Sequence, residues 1–274
     1  MSVSIPVFWQ LLQESRLLAP DQCSQLVADF QQAHAKSDPA SAAQLAEWLV
    51  ARHVLSKYQT NILLAGRSGP FQYGDYKVYD RIEKGRLSGQ FRAVHAPSGH
   101  PVLLQFLNGP LVADPPGWAA CVAQVRVASA IVSPHVQRAY EAVDLGSFKF
   151  LAGEDLRGAA LDEHLAGRRL PPQEACRIAR LAAIGLAQMH QSRRTHGNVR
   201  PANLLLEAIG KTSGNVKLLF DAHQPPAHFD PSRPESADRL ALAGDYLAPE
   251  LASPGRMPDP LADVYALGCS LYEM

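Results

Sequence analysis

The stretch with the clearest capacity for chemistry runs from His196 to Asn203 and reads HGNVRPAN. It combines an imidazole, two amides and a guanidinium, which are side chains that can hydrogen-bond a ligand, hold a phosphate or ligate a metal ion. Asn198 is neutral at all working pH values and has no carboxylate that could accept a proton. The stretch therefore offers binding groups but no carboxylate for general base catalysis.

Two more blocks follow in order along the chain. One runs from Tyr246 to Glu250 and reads YLAPE, and the other runs from Asp263 to Glu273 and reads DVYALGCSLYE. Together with the spacing of HGNVRPAN, which matches the catalytic loop H-R-D-x-x-x-x-N, they resemble the protein kinase family, and most of all bacterial Ser/Thr kinases. The resemblance covers residues 76–274. It implies an α+β, bilobal kinase-like fold with a β-rich N-lobe and a helical C-lobe.

The resemblance implies a role for each polar residue of this loop. Asn198 stands at the position of the catalytic aspartate, which in the family accepts the proton of the attacking hydroxyl. Arg200 keeps a positive charge where the family has lysine. Asn203 takes the position of a metal-binding asparagine, although it can equally serve only to hydrogen-bond its own loop. We expect His196 to pack and hydrogen-bond within the loop, and Asp263 to cap its helix and tie the loop down.

The second metal ligand of the family, the aspartate of D-F-G, is ambiguous here. An ungapped alignment of the strand Val216 to Leu219 places Phe220 at the aspartate position. A one-residue bulge instead brings Asp221 to the site and replaces D-F-G with Asp-Ala-His. Loss of the ligand is the favoured interpretation, and Asp221 is kept beside Asn203 as a candidate metal ligand.

Two glutamines stand where the family carries charge. Gln105 takes the position of the phosphate-binding lysine of V-A-I-K, and the chain has no lysine between Lys84 and Lys149. Gln124 takes the position of the glutamate that pairs with that lysine, and residues 115–140 contain no Asp or Glu. Both losses therefore hold under any shift of the alignment. Two glutamines can bond each other, but a neutral bond is about half as strong as a charge-assisted one.

A glycine-rich turn from Lys84 to Phe91 falls where the family has G-x-G-x-x-G-x-V. Gly85 and Gly89 remain, whereas Arg86 and Ser88 hinder a close approach of the backbone to phosphate. An ordinary hairpin turn with two glycines is an equally good interpretation.

The hinge region near Glu154, Asp155 and Leu156 can still offer backbone groups to an adenine. We expect ATP and magnesium to bind weakly or not at all. The candidate cofactor-binding residues are Gly85, Gly89, Gln105, Gln124, Glu154 and Leu156.

Hydrophobic periodicity predicts the elements that must position these residues. Strands are expected at 76–81, 91–95, 102–107 and 148–151. Helices are expected at 118–132, at 172–191 and from 262 onward, after an all-helical region at 5–65. The predicted domains are a helical N-terminal region (1–66), a linker (67–75), a kinase-like N-lobe (76–152) and a partial C-lobe (153–274). We expect the chain to be a fragment whose last helix leaves Val264, Leu267 and Leu271 as an exposed apolar surface.

Composition and charge narrow the class of protein. The 274 residues are 47% hydrophobic and 19% charged with a net charge of zero, so broad attraction to nucleic acid or an anionic membrane is not expected. The four cysteines form no C-x-x-C pair and are expected to be reduced thiols. No signal peptide is recognisable, and no apolar run approaches the ~18 residues of a membrane helix. A cytoplasmic location is therefore predicted.

The functional prediction is a pseudokinase, a kinase-like domain that acts by binding or scaffolding in signalling. The alternative is an active ATP-dependent Ser/Thr kinase with atypical catalytic residues drawn from Asp221, Arg200 and Lys217. The expected partners are proteins, such as another kinase or a signalling protein. The helical region at 5–65 is either a docking or dimerisation module or a spacer bundle packed on the N-lobe.

Overall fold

The computed structural model describes residues 3–33, 41–109, 113–209, 212–219, 244–253 and 256–274. The chain divides into two compact units. The first comprises Met1–Glu83 and Gly89–Leu104, and the second comprises Lys84–Ser88 and Gln105–Met274. Both units contain strands and helices, in agreement with the predicted α+β class. The predicted domain boundaries stay a prediction.

Four helices form the N-terminal part of the first unit: α1 (Ile5–Glu14), α2 (Pro20–Ala33), α3 (Ala42–Ala51) and α4 (Lys57–Leu64). Ser41 and Ser56 open α3 and α4 with capping boxes, each completed by a glutamine three residues later. A capping box satisfies two N–H groups that the start of a helix leaves without partners. The predicted all-helical region at 5–65 is confirmed for its described residues. Its fully buried core includes Phe8, Leu12, Leu45, Leu49 and Leu63.

Antiparallel strands follow in the order β1 (Gln72–Tyr73), β2 (Tyr76–Arg81), β3 (Phe91–His95) and β4 (His100–Leu107), the last of which belongs to the first unit as far as Leu104. Val78, Ala93 and Val102 are aligned across β2, β3 and β4, and all three are buried. Alternating apolar residues therefore give this sheet its core face.

Helix α4 attaches to the same sheet through side chains that bond strand carbonyls. Nε2 of Gln59 donates to the carbonyl of Val78 at 3.0 Å, and the hydroxyl of Ser56 donates to the carbonyl of Tyr79. Gln59 is buried, so this bond satisfies a polar group that burial makes expensive to leave unpaired. The helical region and these strands thus form one packed unit, as in the spacer-bundle alternative, and a docking role stays a prediction.

The second unit holds the remaining strands and helices. They are α5 (Pro115–Ser129), β5 (Ala139–Asp144), β6 (Lys149–Glu154), β7 (Gly158–Ala160), α6 (Leu161–Leu165), α7 (Pro172–Gln191), β8 (Leu204–Ile209), β9 (Thr212–Leu218) and α8 (Pro260–Glu273). Strands β5 and β6 form an antiparallel hairpin, and β7, β8 and β9 form a separate antiparallel sheet. Strands β5, β7 and β8 and helix α6 were not predicted.

Helix α7 is the centre of the core of this unit. Ile178, Ala182, Gly185 and Met189 are buried on one face, as the period-3.6 pattern predicts. A Cβ atom at Gly185 would lie 2.7 Å from the carbonyl oxygen of His135. Glycine at this position lets the helix approach the backbone of the neighbouring segment closely. The end of α7 leads directly into the loop that starts at His196.

Helix α8 buries one side and exposes the other. Val264 and Leu271 are 59% and 39% exposed, which confirms the expected apolar surface at these two positions. Leu267 is half-buried against the core of the unit, so its predicted exposure is wrong. A different stretch of α8, with Tyr265, Gly268 and Tyr272, lines a groove of about 920 Å³ together with Arg168, Arg169 and Tyr246.

The helices differ in length and in apolar character, the two properties on which membrane insertion depends. Among the residues that the structure describes, none of them combines the length and the apolar character needed to cross a bilayer.

Candidate functional site

The loop from His196 to Asn203 is anchored by the carboxylate of Asp263. Oδ2 of Asp263 accepts from the N–H of His196 at 2.8 Å and from Nε2 of His190 at 2.7 Å, and Oδ1 accepts from the N–H of Gly197 at 2.7 Å. Asp263 is 1% exposed, so all three bonds are shielded from water. The expected tie to the loop is present. The expected cap is wrong, because Asp259 caps α8 by accepting from two N–H groups of its first turn.

His196 holds the loop from inside. Its Nε2 donates to the carbonyl of Leu219 at 3.0 Å, and its Nδ1 accepts from the N–H of Asn198 at 3.2 Å. One donor and one acceptor correspond to the neutral imidazole, and the side chain is buried. Gly197 follows with a φ of 69°, in the left-handed region that glycine adopts without strain. The start of the loop is therefore set by backbone conformation and by neutral hydrogen bonds.

Asn198 has a fixed backbone and a side-chain oxygen without a partner. Its N–H donates to His196, and its carbonyl accepts from Nδ2 of Asn203 at 2.8 Å. Its Oδ1 is buried and has no hydrogen-bond partner among the described residues. The side chain is thus positioned but uncharged, and it cannot take up a proton as a carboxylate would.

Both ends of the Asn203 side chain are occupied. Nδ2 donates to the carbonyl of Asn198, and Oδ1 accepts from Nε of Arg86 at 2.9 Å. Asn203 is 1% exposed, and its own N–H donates to the carbonyl of Arg200 at 2.8 Å. The oxygen that would face a metal ion is therefore bonded to a guanidinium cation. The alternative in which Asn203 hydrogen-bonds its own loop describes the Nδ2 contact.

The start of the glycine-rich turn is held by Glu163. The N–H of Arg86 donates to Oε1 of Glu163 at 3.4 Å, and the same oxygen accepts from the N–H of Ala160 at 3.3 Å. Gly85 has a φ of 76°, and a Cβ atom there would lie 2.9 Å from Oε1 of Glu163. Gly85 is therefore needed both for the backbone conformation and for the approach of this carboxylate. Gly89 also has a positive φ, of 86°, and lies in the first unit.

The candidate metal ligand that the structure describes, Asn203, has its amide oxygen engaged by Arg86. The described residues contain no cluster of three or more His, Cys, Asp or Glu side chains that could hold a metal ion. Magnesium is bound mainly through carboxylates and phosphate oxygens, and a guanidinium at the ligand atom opposes it by charge. The other candidate ligand, Asp221, lies outside the described residues, as does Phe220.

Gln105 and Gln124 are both half-buried in the second unit, on β4 and α5 respectively. Oε1 of Gln124 is buried and has no hydrogen-bond partner among the described residues, so it does not accept from Gln105. A buried amide oxygen without a donor costs about 1–3 kcal/mol. This part of the site is thus uncharged and, at Gln124, also incompletely bonded.

The candidate hinge contains an ion pair that sequence reasoning missed. Nζ of Lys217 lies 2.5 Å from Oε1 of Glu154, and Oε2 of Glu154 accepts from the N–H of Arg138 at 3.1 Å. Lys217 is buried, and Leu156 is fully buried. Lys217 was a candidate substitute cation for catalysis, but this pairing commits it to Glu154. The two residues are 63 positions apart, and no local pattern signals their contact.

Arg200 lies within electrostatic reach of Tyr246. Burial and a hydrogen bond to the carboxylate of Glu273 raise the pKa of Tyr246, while the positive charge of Arg200 lowers it. The cation at position 200 is therefore near the segment YLAPE, although the two are distant in sequence.

Comparison with known proteins points to one family. A family model described as "Protein kinase domain" matches residues 76–274. The serine/threonine-protein kinase PkaB of Streptomyces coelicolor is 30% identical over 177 residues, which are 64% of this chain and 42% of that protein. The serine/threonine-protein kinase PknB of Mycobacterium leprae is 27% identical over 205 residues, which are 73% of this chain and 32% of that protein. The chain thus spans less than half the length of these relatives.

A solved structure supports the same architecture. The kinase domain of Mycobacterium tuberculosis PknI superposes with a TM-score of 0.57 at 21% sequence identity, and the match covers 73% of each chain. At this identity the likeness concerns the fold, and the bilobal kinase-like fold expected from the sequence is confirmed.

Proposed function

The chain belongs to the protein kinase family, and on that premise we propose that it is a pseudokinase that acts by binding rather than by phosphoryl transfer. The observation that carries this proposal is Asn198 at the position of the proton acceptor, with its backbone N–H and its carbonyl both hydrogen-bonded within the loop. Removal of a positioned general base typically lowers the rate by ~10²–10⁴. The loop therefore keeps its geometry without its base.

The neutral pair Gln105 and Gln124 supports the same proposal. In active kinases the lysine and glutamate at these positions must both be in place to hold the phosphates. Here neither side chain carries charge, and Oε1 of Gln124 has no partner among the described residues. A phosphate chain would thus lack the cation that the family places on this strand.

Nucleotide binding is expected to be weak or absent, and magnesium is expected to add little. The described part of the site presents Asn203 already bonded to Arg86, and Lys217 already bonded to Glu154. A thermal-shift titration of the whole chain with ATP, with and without magnesium, tests this point. A saturable, magnesium-dependent rise in the melting temperature would indicate a retained metal site at Asn203 and Asp221.

The second candidate is an active Ser/Thr kinase with atypical catalytic residues. It is favoured by the names of the relatives, which are serine/threonine-protein kinases. Its three candidate substitute residues are Arg200, Asp221 and Lys217, and Lys217 is already paired with Glu154.

A phosphotransfer assay with labelled ATP and generic Ser/Thr substrates distinguishes a pseudokinase from an active kinase. We expect no transfer by the natural chain. The triple variant N198D/Q105K/Q124E, which returns the family's charges, tests whether the fold can support activity. Transfer by the natural chain that disappears in Asn198→Ala or Asn203→Ala would refute the pseudokinase proposal.

In this proposal the partners are proteins, such as another kinase or a signalling protein, and the location is cytoplasmic. The packed helices α1–α4 provide an additional surface for such partners. Co-purification of the chain from its own cells, with the helical region 1–66 present or removed, would show whether that surface is used. Loss of the partner on removal is the expected result.

A further inference from the structure

We propose that Arg86 and Glu163 form an internal latch. The guanidinium of Arg86 occupies the oxygen that would ligate a metal ion, and the carboxylate of Glu163 occupies the backbone N–H that would bind a phosphate. The inference rests on the proposed pseudokinase function and adds a physical reason for weak nucleotide binding. The guanidinium of Arg86 bonds the metal-ligand atom of Asn203 at 2.9 Å. The backbone N–H of the same residue bonds the carboxylate of Glu163.

The first half of the latch places a cation where a metal ion would have to bind. Asn203 is 1% exposed, so a metal ion can reach Oδ1 only after the surrounding groups move. A hydrogen bond from a charged donor is roughly twice as strong as a neutral one. A divalent cation must therefore break this bond and also approach a like charge before it can reach the amide oxygen.

The second half places an anion where a phosphate would have to bind. Glycine-rich turns hold phosphates with backbone N–H groups that point at the ligand. Here the N–H of Arg86 already donates to Oε1 of Glu163, and the same carboxylate oxygen lies 2.9 Å from where a Cβ of Gly85 would be. The negative charge of Glu163 also repels a second anion at this turn.

The two contacts act on one residue, so they hold the turn at both its backbone and its side chain. Release of either contact should make the turn more mobile, and release of both should expose Oδ1 of Asn203 and the N–H of Arg86. The latch thus predicts a gain of magnesium-dependent nucleotide binding when it is opened. A residue that served as a phosphate ligand would give the opposite result.

The test uses the whole chain and a fluorescent, N-methylanthraniloyl-labelled ATP, titrated in magnesium and in EDTA. The natural chain is expected to bind no more tightly in magnesium than in EDTA. The variant R86A/E163Q is expected to bind about tenfold more tightly in magnesium, the change that corresponds to one charge-assisted hydrogen bond. The control Lys84→Ala removes a positive charge from the same turn without touching the latch, and should behave like the natural chain.

Two outcomes of the titration would overturn the latch. One is an unchanged affinity in the double variant, and the other is weaker binding in EDTA after Arg86→Ala, which would make Arg86 a ligand for phosphate.

Hydrogen exchange, measured without ligand, is a second test that does not rely on a variant's ability to bind nucleotide. Glu163 is exposed, so Glu163→Ala, which removes both acceptor oxygens, should fold normally and raise hydrogen exchange in the peptide around Arg86 by about tenfold. Unchanged exchange would also refute the latch. Binding and exchange do not depend on turnover, so the pseudokinase proposal can fail separately.

Discussion

The anchored loop, His196–Asn203, and the glutamine pair, Gln105 and Gln124, differ in how completely their polar groups are satisfied. The loop is tied by a buried carboxylate that accepts three hydrogen bonds, and His196 uses both ring nitrogens. In the glutamine pair, Oε1 of Gln124 is buried without a partner among the described residues. The groups that hold the backbone are intact, whereas the groups that would carry charge to a phosphate are neutral. Loop geometry and transfer chemistry therefore depend on different residues and can be lost separately.

The largest effect is expected when the anchor of the loop is removed. Asp263→Ala leaves the buried N–H of His196 and the half-buried N–H of Gly197 without an acceptor. Each such group costs about 1–3 kcal/mol, so the free energy of unfolding should fall by about 3–5 kcal/mol. Urea denaturation measures the change. Asp259→Ala is the matched control on the same helix and should cost only about 1 kcal/mol, as the loss of an N-cap does. Equal losses in the two variants would contradict the anchoring role of Asp263.

A smaller effect is expected at the ion pair of the hinge. Glu154→Gln leaves the buried ammonium of Lys217 without a counter-charge. Removing one partner of a buried pair costs about 3–5 kcal/mol, and because Glu154 is partly exposed we expect about 1–3 kcal/mol here. A double-mutant cycle with Lys217→Met isolates the pair. Additive losses would mean that the two charges do not stabilise each other. The ion pair between Lys217 and Glu154 would then make no net contribution to stability.

The phenol of Tyr246 offers a pH-dependent test near the anchored loop. Burial and the hydrogen bond to Glu273 raise its pKa, so the folded state keeps its proton where the unfolded state has lost it. Its contribution to stability is therefore full below the unfolded pKa of about 10 and declines as the pH rises above that value. Tyr246→Phe should cost about 1 kcal/mol at neutral pH. It should also reduce the loss of stability between pH 9 and pH 11, relative to the natural chain. Parallel pH profiles for the two proteins would contradict this assignment.

The smallest effect separates a bonded glutamine from an unbonded one. Gln124→Leu removes an unpaired buried oxygen, so the free energy of unfolding should stay within about 1 kcal/mol of the natural value or rise. Gln59→Leu, in contrast, breaks the bond to Val78 and the capping box of α4, and should cost about 1–3 kcal/mol. Differential scanning calorimetry of both variants measures the contrast. A comparable loss at Gln124 would show that its side chain is satisfied in solution.

Much of the architecture could be predicted, because the strongest elements carry local signals. Strands β2 and β3 and helix α7 have the predicted bounds, since each repeats apolar residues at one period over its whole length. Strands β5 and β8 were missed for the opposite reason. Ala139–Asp144 has only partial alternation, and Leu204–Ile209 begins with three leucines that fit a strand or a helix equally well.

The lack of charge at the site could be predicted from the sequence because charge is a property of each side chain. Asn198, Gln105 and Gln124 cannot ionise in any fold, and their places follow from motifs of fixed spacing. Which polar groups already have hydrogen-bond or ion-pair partners could not be predicted in this way. Arg86 and Asn203 are 117 positions apart, His196 and Asp263 are 67 apart, and Glu154 and Lys217 are 63 apart. Contacts over such separations arise only when packing brings the segments together, so the anchor, the hinge pair and the latch are consequences of the folded chain.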